Sequence, residues 1–234
     1  PGENGQAAVS ENPTDIMYVI NEDDIKNIAG NIEKSGRFAL KFLLDSDRAL
    51  YGRAVAVGIS DGEGIYYIDL DKIGEKAVFD ILKGVFERED IQAMGHSIKN
   101  EVIYMMKNNI ELNNISFDSE IGKYLLNPSE SSYSIDKIAY EYSGKELSSE
   151  NDILGTGKKR LSFGELDLEK RKSYLYNYIS TVTGAEKQIT DEIERMGMTE
   201  LFRKIELPLI EVLAYMEFVG FKVDINVIDS LGIH

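Results

Sequence analysis

The chain contains no cysteine and only two histidines, His96 and His234. Without thiols it forms neither disulfides nor thiolate metal sites. Two histidines do not make a metal site on their own, and the absence of cysteine fits a reducing compartment. We therefore expect a cytoplasmic protein without a cysteine- or histidine-based metal centre.

Long apolar runs are also missing. The longest, around Phe38 to Leu44, is far shorter than the roughly 20 residues that a membrane-spanning helix needs. The first stretch, PGENGQAAVSENPTD, has neither the basic start nor the apolar segment of a signal peptide, and its composition is that of a linker or a cut end. We expect no membrane association and assign residues 1–15 to a linker.

Basic residues are few relative to acidic ones. The 234 residues include 41 Asp and Glu but only 26 Lys and Arg, which gives a net charge of −15. A surface that binds nucleic acid by neutralising phosphates needs clustered cations, so the chain as a whole should repel nucleic acid. Any such contact must be local or be made by something attached to this chain.

The pattern of apolar residues predicts a mixed α/β fold. FALKFLLDSD reads as a strand, and the two β-rich runs after it are joined by the hairpin signal at 61–64, so three antiparallel strands are expected over about 38–70. Strands and helices then alternate, and helical spacing runs from Leu166 to about Met196 and again up to Gly220. A mixed sheet flanked by helices, with a helical C-terminal extension, follows.

The end of the first long strand offers the clearest local candidate for metal chemistry. Asp45 and Asp47 are two residues apart, which puts both carboxylates on one side of an extended chain. Two such acids could hold a divalent ion for phosphoryl chemistry. The alternative is a polar turn between strands.

The polar, glycine-rich stretch 144–164 is predicted to be a loop. Its GTGKKR segment, 155–160, lacks the spacing of a phosphate-binding loop and follows no strand, although it is the best basic patch in the chain. Tyr174 and Tyr178 share a helix face. They are expected either to pack in the core or to orient an attacking water.

Four segments in order resemble the 3′-to-5′ exonuclease domain of bacterial DNA polymerase I, a family A polymerase: 93–128, 133–142, 154–160 and 201–224. The last resembles the entry into the polymerase domain. The resemblance implies a ribonuclease-H-like fold in which four carboxylates on three motifs hold two metal ions. It also implies domain limits of 16–204 for the exonuclease-like domain and 205–234 for the start of the polymerase domain.

Three of the four acidic positions that the resemblance implies hold other residues here. Lys41 and Leu43 stand where the first motif has Asp-x-Glu, and the second motif, at 97–101, keeps a carboxylate at Glu101. In the third motif Tyr178 matches, but Val182 replaces the aspartate. We therefore predict that divalent metal binding is lost and that the domain has no cofactor.

Two interpretations of Lys41 remain open at this stage. Lys41 could neutralise Glu101 across an inactive site, taking the place of the charge that a metal once supplied. It could instead lie on an exposed strand face, where a lysine discourages edge-to-edge pairing. Neither interpretation yields a nuclease.

The sequence is thus interpreted as an inactive exonuclease-like domain that serves as a platform for the DNA polymerase domain of the same chain. The polymerase residues would lie beyond His234. DNA would be bound through the parent enzyme only, and the domain is expected to be a monomer. The alternatives are an active metal-dependent nuclease that uses Asp45, Asp47 and Glu101, and an independent acidic module that binds a basic partner.

Overall fold

The computed structural model describes residues 16–222 as a six-stranded sheet flanked by helices. The strands are β1 Ile16–Val19, β2 Arg37–Leu44, β3 Ala54–Ser60, β4 Ile65–Asp69, β5 Gln92–Gly95 and β6 Ile115–Asp118. The helices are α1 Glu22–Ser35, α2 Leu70–Ile73, α3 Glu75–Phe86, α4 Lys99–Lys107, α5 Ser119–Leu126, α6 Ile135–Ser143, α7 Glu150–Leu154, α8 Leu168–Arg195, α9 Thr199–Leu201 and α10 Leu207–Val219.

The sheet is mixed, as predicted, and its strand order is β1-β4-β3-β2-β5-β6. Strands β2, β3 and β4 are antiparallel, while β1 pairs with β4 and β5 pairs with β2 and β6 in parallel. Strand β2 therefore lies inside the sheet, with β3 on one side and β5 on the other. Since the Lys41 side chain is also only 14% exposed, the interpretation of Lys41 as a lysine on an exposed strand face that discourages edge-to-edge pairing is wrong.

Local signals set the limits of the first helix and the first hairpin. The side chain of Asn21 caps α1 by accepting from Asp24 N, and Gly36 ends the helix in the left-handed conformation. In the hairpin, Asp61 accepts hydrogen bonds at 2.9 Å from the backbone N–H groups of Glu63 and Gly64. These contacts hold β3 and β4 in register, as the sequence predicted.

The 28-residue helix α8 crosses the sheet at close range. Its Leu175 packs on Gly58 of β3, where a Cβ atom would lie only 2.8 Å from Leu175 Cδ2. Gly58 pairs with Lys41 of β2 across the antiparallel ladder. The missing side chain at Gly58 therefore lets α8 approach β2, and this brings Tyr178 of α8 next to Lys41.

The prediction of a loop over 144–164 is wrong in part. Residues Glu150–Leu154 form α7, whose first turn carries a capping box between Ser149 and Asp152. Two 3₁₀ turns follow, Gly157–Lys159 and Phe163–Glu165. A Ser-x-x-Asp pattern signals a helix start, but the polar and glycine-rich composition hid it. Ser134, which precedes α6, makes no side-chain cap hydrogen bond.

The C-terminal part is helical, as predicted. Between α9 and α10 the π-helical turn Phe202–Glu206 keeps the chain helical across the predicted domain limit at 204/205. The linker predicted at 1–15 lies outside the described residues. Within 16–222 no helix combines the length and the apolar character needed to cross a bilayer.

Candidate functional site

Three elements meet at one end of the sheet and carry the residues that the sequence singled out. Strand β2 contributes Lys41, α4 contributes Glu101, and α8 contributes Tyr178. Strands β2 and β5 are parallel, so both end on the same side, and α4 begins shortly after β5. This end of a parallel pair is where α/β folds commonly place functional groups.

A buried ion pair joins the first two of these residues. Lys41 Nζ lies 2.9 Å from Glu101 Oε1, and the two side chains are 14% and 2% exposed. Lys41 Nζ also lies 5.1 Å from the centre of the Tyr178 ring, within cation–π range. The predicted neutralisation of Glu101 by Lys41 is therefore present. A buried charge of either sign would be costly without such a partner.

Burial and charge pairing act in opposite directions on both partners. Burial lowers the pKa of Lys41, but the Glu101 carboxylate raises it, and the balance lies above the ordinary value. Burial raises the pKa of Glu101 and Lys41 lowers it, and the balance again lies above the ordinary value. Lys41 is accordingly held as an ammonium group rather than as a free amine.

The other positions implied by the resemblance are buried as well. Leu43 and Val182 are aliphatic and fully buried. The Tyr178 hydroxyl donates to the backbone carbonyl of His96, and burial raises the pKa of Tyr178 well above its usual range. These positions supply one carboxylate, Glu101. Across residues 16–222, no group of three or more Asp, Glu or His side chains is arranged to hold a metal ion.

Asp45 and Asp47 lie on the surface and have other partners. Asp45 accepts a hydrogen bond from Arg53 N at 2.7 Å, and Asp47 pairs with Arg160 at 3.2 Å. Their side chains are 38% and 77% exposed. The structure therefore places each carboxylate beside an arginine and does not gather them around Glu101.

The sequence did not reveal the polar network that borders the site. Arg160 bridges Asp47, Glu150 and Asn151, and Tyr174 donates to Glu150 Oε2 at 3.0 Å. Arg160 belongs to the basic patch at 155–160, which is visible in the sequence. Its partner Asp47 is 113 residues away in the chain, so no local pattern could have identified the contact.

Asp118 and His96 are a second pair of buried polar groups near the site. Asp118 accepts from the backbone N–H groups of Ile98, Glu120 and Ile121 at 2.7, 2.9 and 3.1 Å, and burial raises its pKa to about 6. His96 Nδ1 lies 3.0 Å from Ser119 Oγ. Burial, with a smaller effect of Lys41, lowers the pKa of His96 to about 3.

These contacts fix the starts of α4 and α5. Asp118 is the last residue of β6 and caps α5 with Oδ1, while its Oδ2 accepts from Ile98 N just before α4. The position of an aspartate between a strand and a helix predicts the cap. It does not predict the bond to Ile98, which depends on how the two strands lie side by side.

Comparison with known proteins identifies relatives of this arrangement. A family model described as "DNA polymerase I, ribonuclease H-like domain" matches residues 40–170. DNA polymerase I of Bacillus subtilis is 28% identical over 169 residues, covering 72% of this chain and 18% of the relative. DNA polymerase I of Pseudomonas aeruginosa is 24% identical over 97% of this chain and 26% of its own length.

Solved structures share the fold. The POL domain of Pol1 from M. smegmatis, in complex with DNA primer-template and dNTP, has a TM-score of 0.72 at 18% identity, covering 92% of this chain and 34% of that one. Escherichia coli RNase D, an exoribonuclease, has a TM-score of 0.69 at 16% identity, covering 85% of this chain and 50% of that one. The chain spans about a fifth to a quarter of the length of these polymerase relatives. With a matching family model over more than half its length, the chain belongs to the DNA polymerase I ribonuclease H-like domain family.

Proposed function

We propose that this domain has lost metal-dependent nuclease activity and serves as a structural platform within a DNA polymerase I. The observation that carries the proposal is the 2.9 Å ion pair between Lys41 and Glu101. In the resemblance, Lys41 stands where the first motif has an acid. Its ammonium group pairs with Glu101, the one carboxylate that remains among the four positions.

The donor set at these positions does not fit a pair of divalent ions. Two such ions about 4 Å apart repel each other strongly, and several anionic oxygens are needed to offset that repulsion. Here one carboxylate, one ammonium group and the aliphatic side chains of Leu43 and Val182 occupy the four positions. We therefore propose that the domain binds no catalytic metal and needs no cofactor.

The outer face of α10 supports the platform role. It carries six large apolar side chains that are 40–60% exposed: Leu209, Val212, Leu213, Tyr215, Met216 and Val219. The same helix packs on the domain through Leu207, Ile210 and Ala214. Contiguous exposed apolar surface marks an interaction site in soluble proteins.

We propose that the polymerase domain of the same polypeptide covers this face. The relatives are about four times as long as this chain, and α10 is the last helix of the described residues. The parent protein would be a DNA-directed DNA polymerase, a nucleotidyltransferase of DNA replication and repair in the cytoplasm. In this proposal the parent enzyme makes the DNA contacts, and the 234-residue chain alone is a monomer.

Incubation of the 234-residue chain with end-labelled single-stranded DNA tests the loss of activity. We expect no shortening of the labelled strand with Mg²⁺ or with Mn²⁺, and no saturable Mn²⁺ binding by calorimetry. Circular dichroism on the same sample shows that the protein is folded, so that inactivity is not the result of unfolding.

Three variants separate this proposal from an active nuclease. If the wild-type chain degrades DNA, Glu101→Gln should abolish that activity, and Asp45→Asn and Asp47→Asn should lower it if these acids bind metal. Metal-dependent degradation that Glu101→Gln abolishes would refute the platform proposal. Degradation that survives Glu101→Gln would instead point to a contaminating nuclease, and the proposal would stand.

A further inference from the structure

A cleft of about 360 Å³ opens above the Lys41–Glu101 ion pair. One wall is the segment Glu150–Ser162, which we call the strap. The strap contributes Asn151, Leu154, Arg160, Leu161 and Ser162 to the lining, and the loop after β2 contributes Ser46 and Asp47 on the other side. The strap therefore separates Lys41 from the solvent on one side of the cleft.

Arg160 connects the two walls. Its Nε donates to Asp47 Oδ1 at 3.2 Å, across the cleft from the strap. Within the strap, its guanidinium group donates to Asn151 Oδ1 at 2.9 Å and to the carbonyl of Gly155 at 3.3 Å, and it pairs with Glu150. The Arg160 side chain is only 21% exposed, so these charged contacts are partly shielded from water.

The strap is also tied to α8 on its inner side. Glu150 accepts from the Tyr174 hydroxyl at 3.0 Å, and the ring of Phe163, the residue that directly follows the strap, lies 4.8 Å from the ring of Tyr174. These contacts anchor both ends of the strap to α8. The bond between Arg160 and Asp47 differs from these contacts because it joins the strap to the connection between β2 and β3 rather than to α8. The Asp47 side chain is also exposed to solvent.

We propose that Arg160 is a latch that holds the strap across the cleft and keeps the end of a polynucleotide away from Lys41 and Glu101. This rests on the proposed function, since an inactive cleft that still held a strand end would withdraw it from the polymerase domain. With the latch closed, Asp47 neutralises Arg160, and the Lys41 side chain is 14% exposed. Loss of the latch should expose Lys41 while the fold stays intact.

Amine acetylation followed by mass spectrometry tests the latch on the 234-residue chain. Arg160→Gln removes the contact with Asp47 together with the Arg160 contacts inside the strap, and one charge-assisted contact alone corresponds to a ratio of roughly ten. We therefore expect Lys41 to be acetylated at least roughly tenfold faster in this variant than in the wild type. Hydrogen exchange of the strap should accelerate in the same variant. Arg195→Gln removes the same charge from an exposed position on α8 and should leave both rates unchanged.

Ionic strength provides a second readout. The Arg160–Asp47 contact is partly exposed and should weaken with salt, whereas the buried Lys41–Glu101 pair is screened much less. Acetylation of Lys41 in the wild type should therefore rise between low and high salt, and in Arg160→Gln it should not. The acetylation rate of Lys187, which is 83% exposed, corrects for the effect of salt on the reagent.

The result that would overturn the latch is an unchanged rate of Lys41 acetylation in folded Arg160→Gln. Equal acceleration in Arg195→Gln would also overturn it, because the effect would then be one of net charge. Neither result bears on metal-dependent nuclease activity. Failure of the latch is thus distinguishable from failure of the proposed function, which the DNA degradation assay reports.

Discussion

The end of the sheet around Lys41 and the outer face of α10 differ in whether their side chains have partners within the described residues. At the sheet end, the buried charges of Lys41 and Glu101 are matched within the domain, and Asp118 has three backbone donors. On α10, apolar side chains such as Val212 and Val219 remain more than half exposed. Within the described residues, the charges of the first region are paired, although Glu101 Oε2 has no hydrogen-bond partner, whereas the apolar side chains of the second region stay exposed.

The difference reflects the unequal cost of leaving a buried charge and an exposed apolar side chain without a partner. A buried charge must be matched inside the fold, because leaving it unpaired costs several kcal/mol. An exposed apolar side chain is tolerated in a folded domain, and its burial adds stability only when a partner arrives. The pairing at the sheet end therefore concerns the stability of this domain, whereas the open face of α10 is the part that our proposal assigns to docking of the polymerase domain.

The largest expected effect comes from breaking the buried ion pair. Lys41→Met leaves Glu101 buried without a counter-charge, and we expect the free energy of unfolding to fall by about 3 kcal/mol. Adding Glu101→Leu should recover most of that loss, because an apolar pair replaces a lone buried charge. Urea unfolding at pH 7 measures both.

Lys187→Met serves as the control for this prediction, because it removes an exposed lysine that pairs with Asp191 on the same helix face. It should leave the unfolding midpoint unchanged. If Lys41→Met alone is as stable as the wild type, the sheet end does not depend on the pair, and the contrast with α10 disappears.

The next effect concerns His96 and has a defined sign. The folded-state pKa of His96 is lowered to about 3 by burial, then by Lys41, so the unfolded chain takes up a proton below about pH 6.5 while the folded chain does not. The stability that neutral His96 supports is therefore lost as the pH falls. Between pH 7 and pH 5 we expect a loss of about 2 kcal/mol from this residue.

His96→Gln isolates that contribution. The stability difference between wild type and variant should change by about 2 kcal/mol between pH 7 and pH 5, in the direction that disfavours the wild type at low pH. The raised pKa of Asp118, about 6, acts in the opposite direction in both proteins and cancels in the comparison. A difference that does not vary with pH would show that His96 is not buried in its neutral form.

The close approach of α8 to the sheet predicts a smaller effect. In Gly58→Ala, the new Cβ atom would lie 2.8 Å from Leu175 Cδ2, and we expect a loss of about 1 to 2 kcal/mol from overpacking. Gly84→Ala on α3 is the matched control, because a Cβ atom at that position would have no neighbouring atom within 4 Å. That change should stabilise the helix slightly. Equal effects at the two glycines would contradict the packing described for α8.

The smallest effect on stability is expected on α10. Val212→Glu should change the free energy of unfolding by no more than about 0.5 kcal/mol, as an exposed substitution does, and should reduce binding of a hydrophobic dye. Ala214→Glu, on the buried side of the same helix, should instead destabilise the chain strongly. If Val212→Glu destabilises as much as Ala214→Glu, the outer face is already covered within this chain.

Features set by neighbouring residues could be predicted from the sequence. The cap at Asn21, the end of α1 at Gly36 and the hairpin at 61–64 depend on contacts within a few positions, and the structure has them all. Helix α7 was missed although its capping box is equally local. There the glycine-rich composition of 144–164 outweighed a four-residue signal.

Contacts between distant segments could be predicted only where the resemblance assigned both residues to the same site. Lys41 and Glu101 are 60 residues apart, and their pairing was one of two interpretations of a lysine within a strand. The contact of Arg160 with Asp47 spans 113 residues and had no such guide. The exposure of α10 was equally hidden, because apolar residues at helical spacing do not tell whether a neighbour covers the helix.

By itself, the sequence determined the class of fold, most of its elements and the acidic net charge. The resemblance implied, in addition, that Lys41, Leu43 and Val182 stand at acidic positions of the family. Only the tertiary structure decided that Lys41 is buried against Glu101, that Arg160 takes Asp47 as its partner, and that α10 keeps an apolar face open. The reason is physical. Periodicity tells which side of an element is apolar, but only the packing of sheet and helices determines what that side meets.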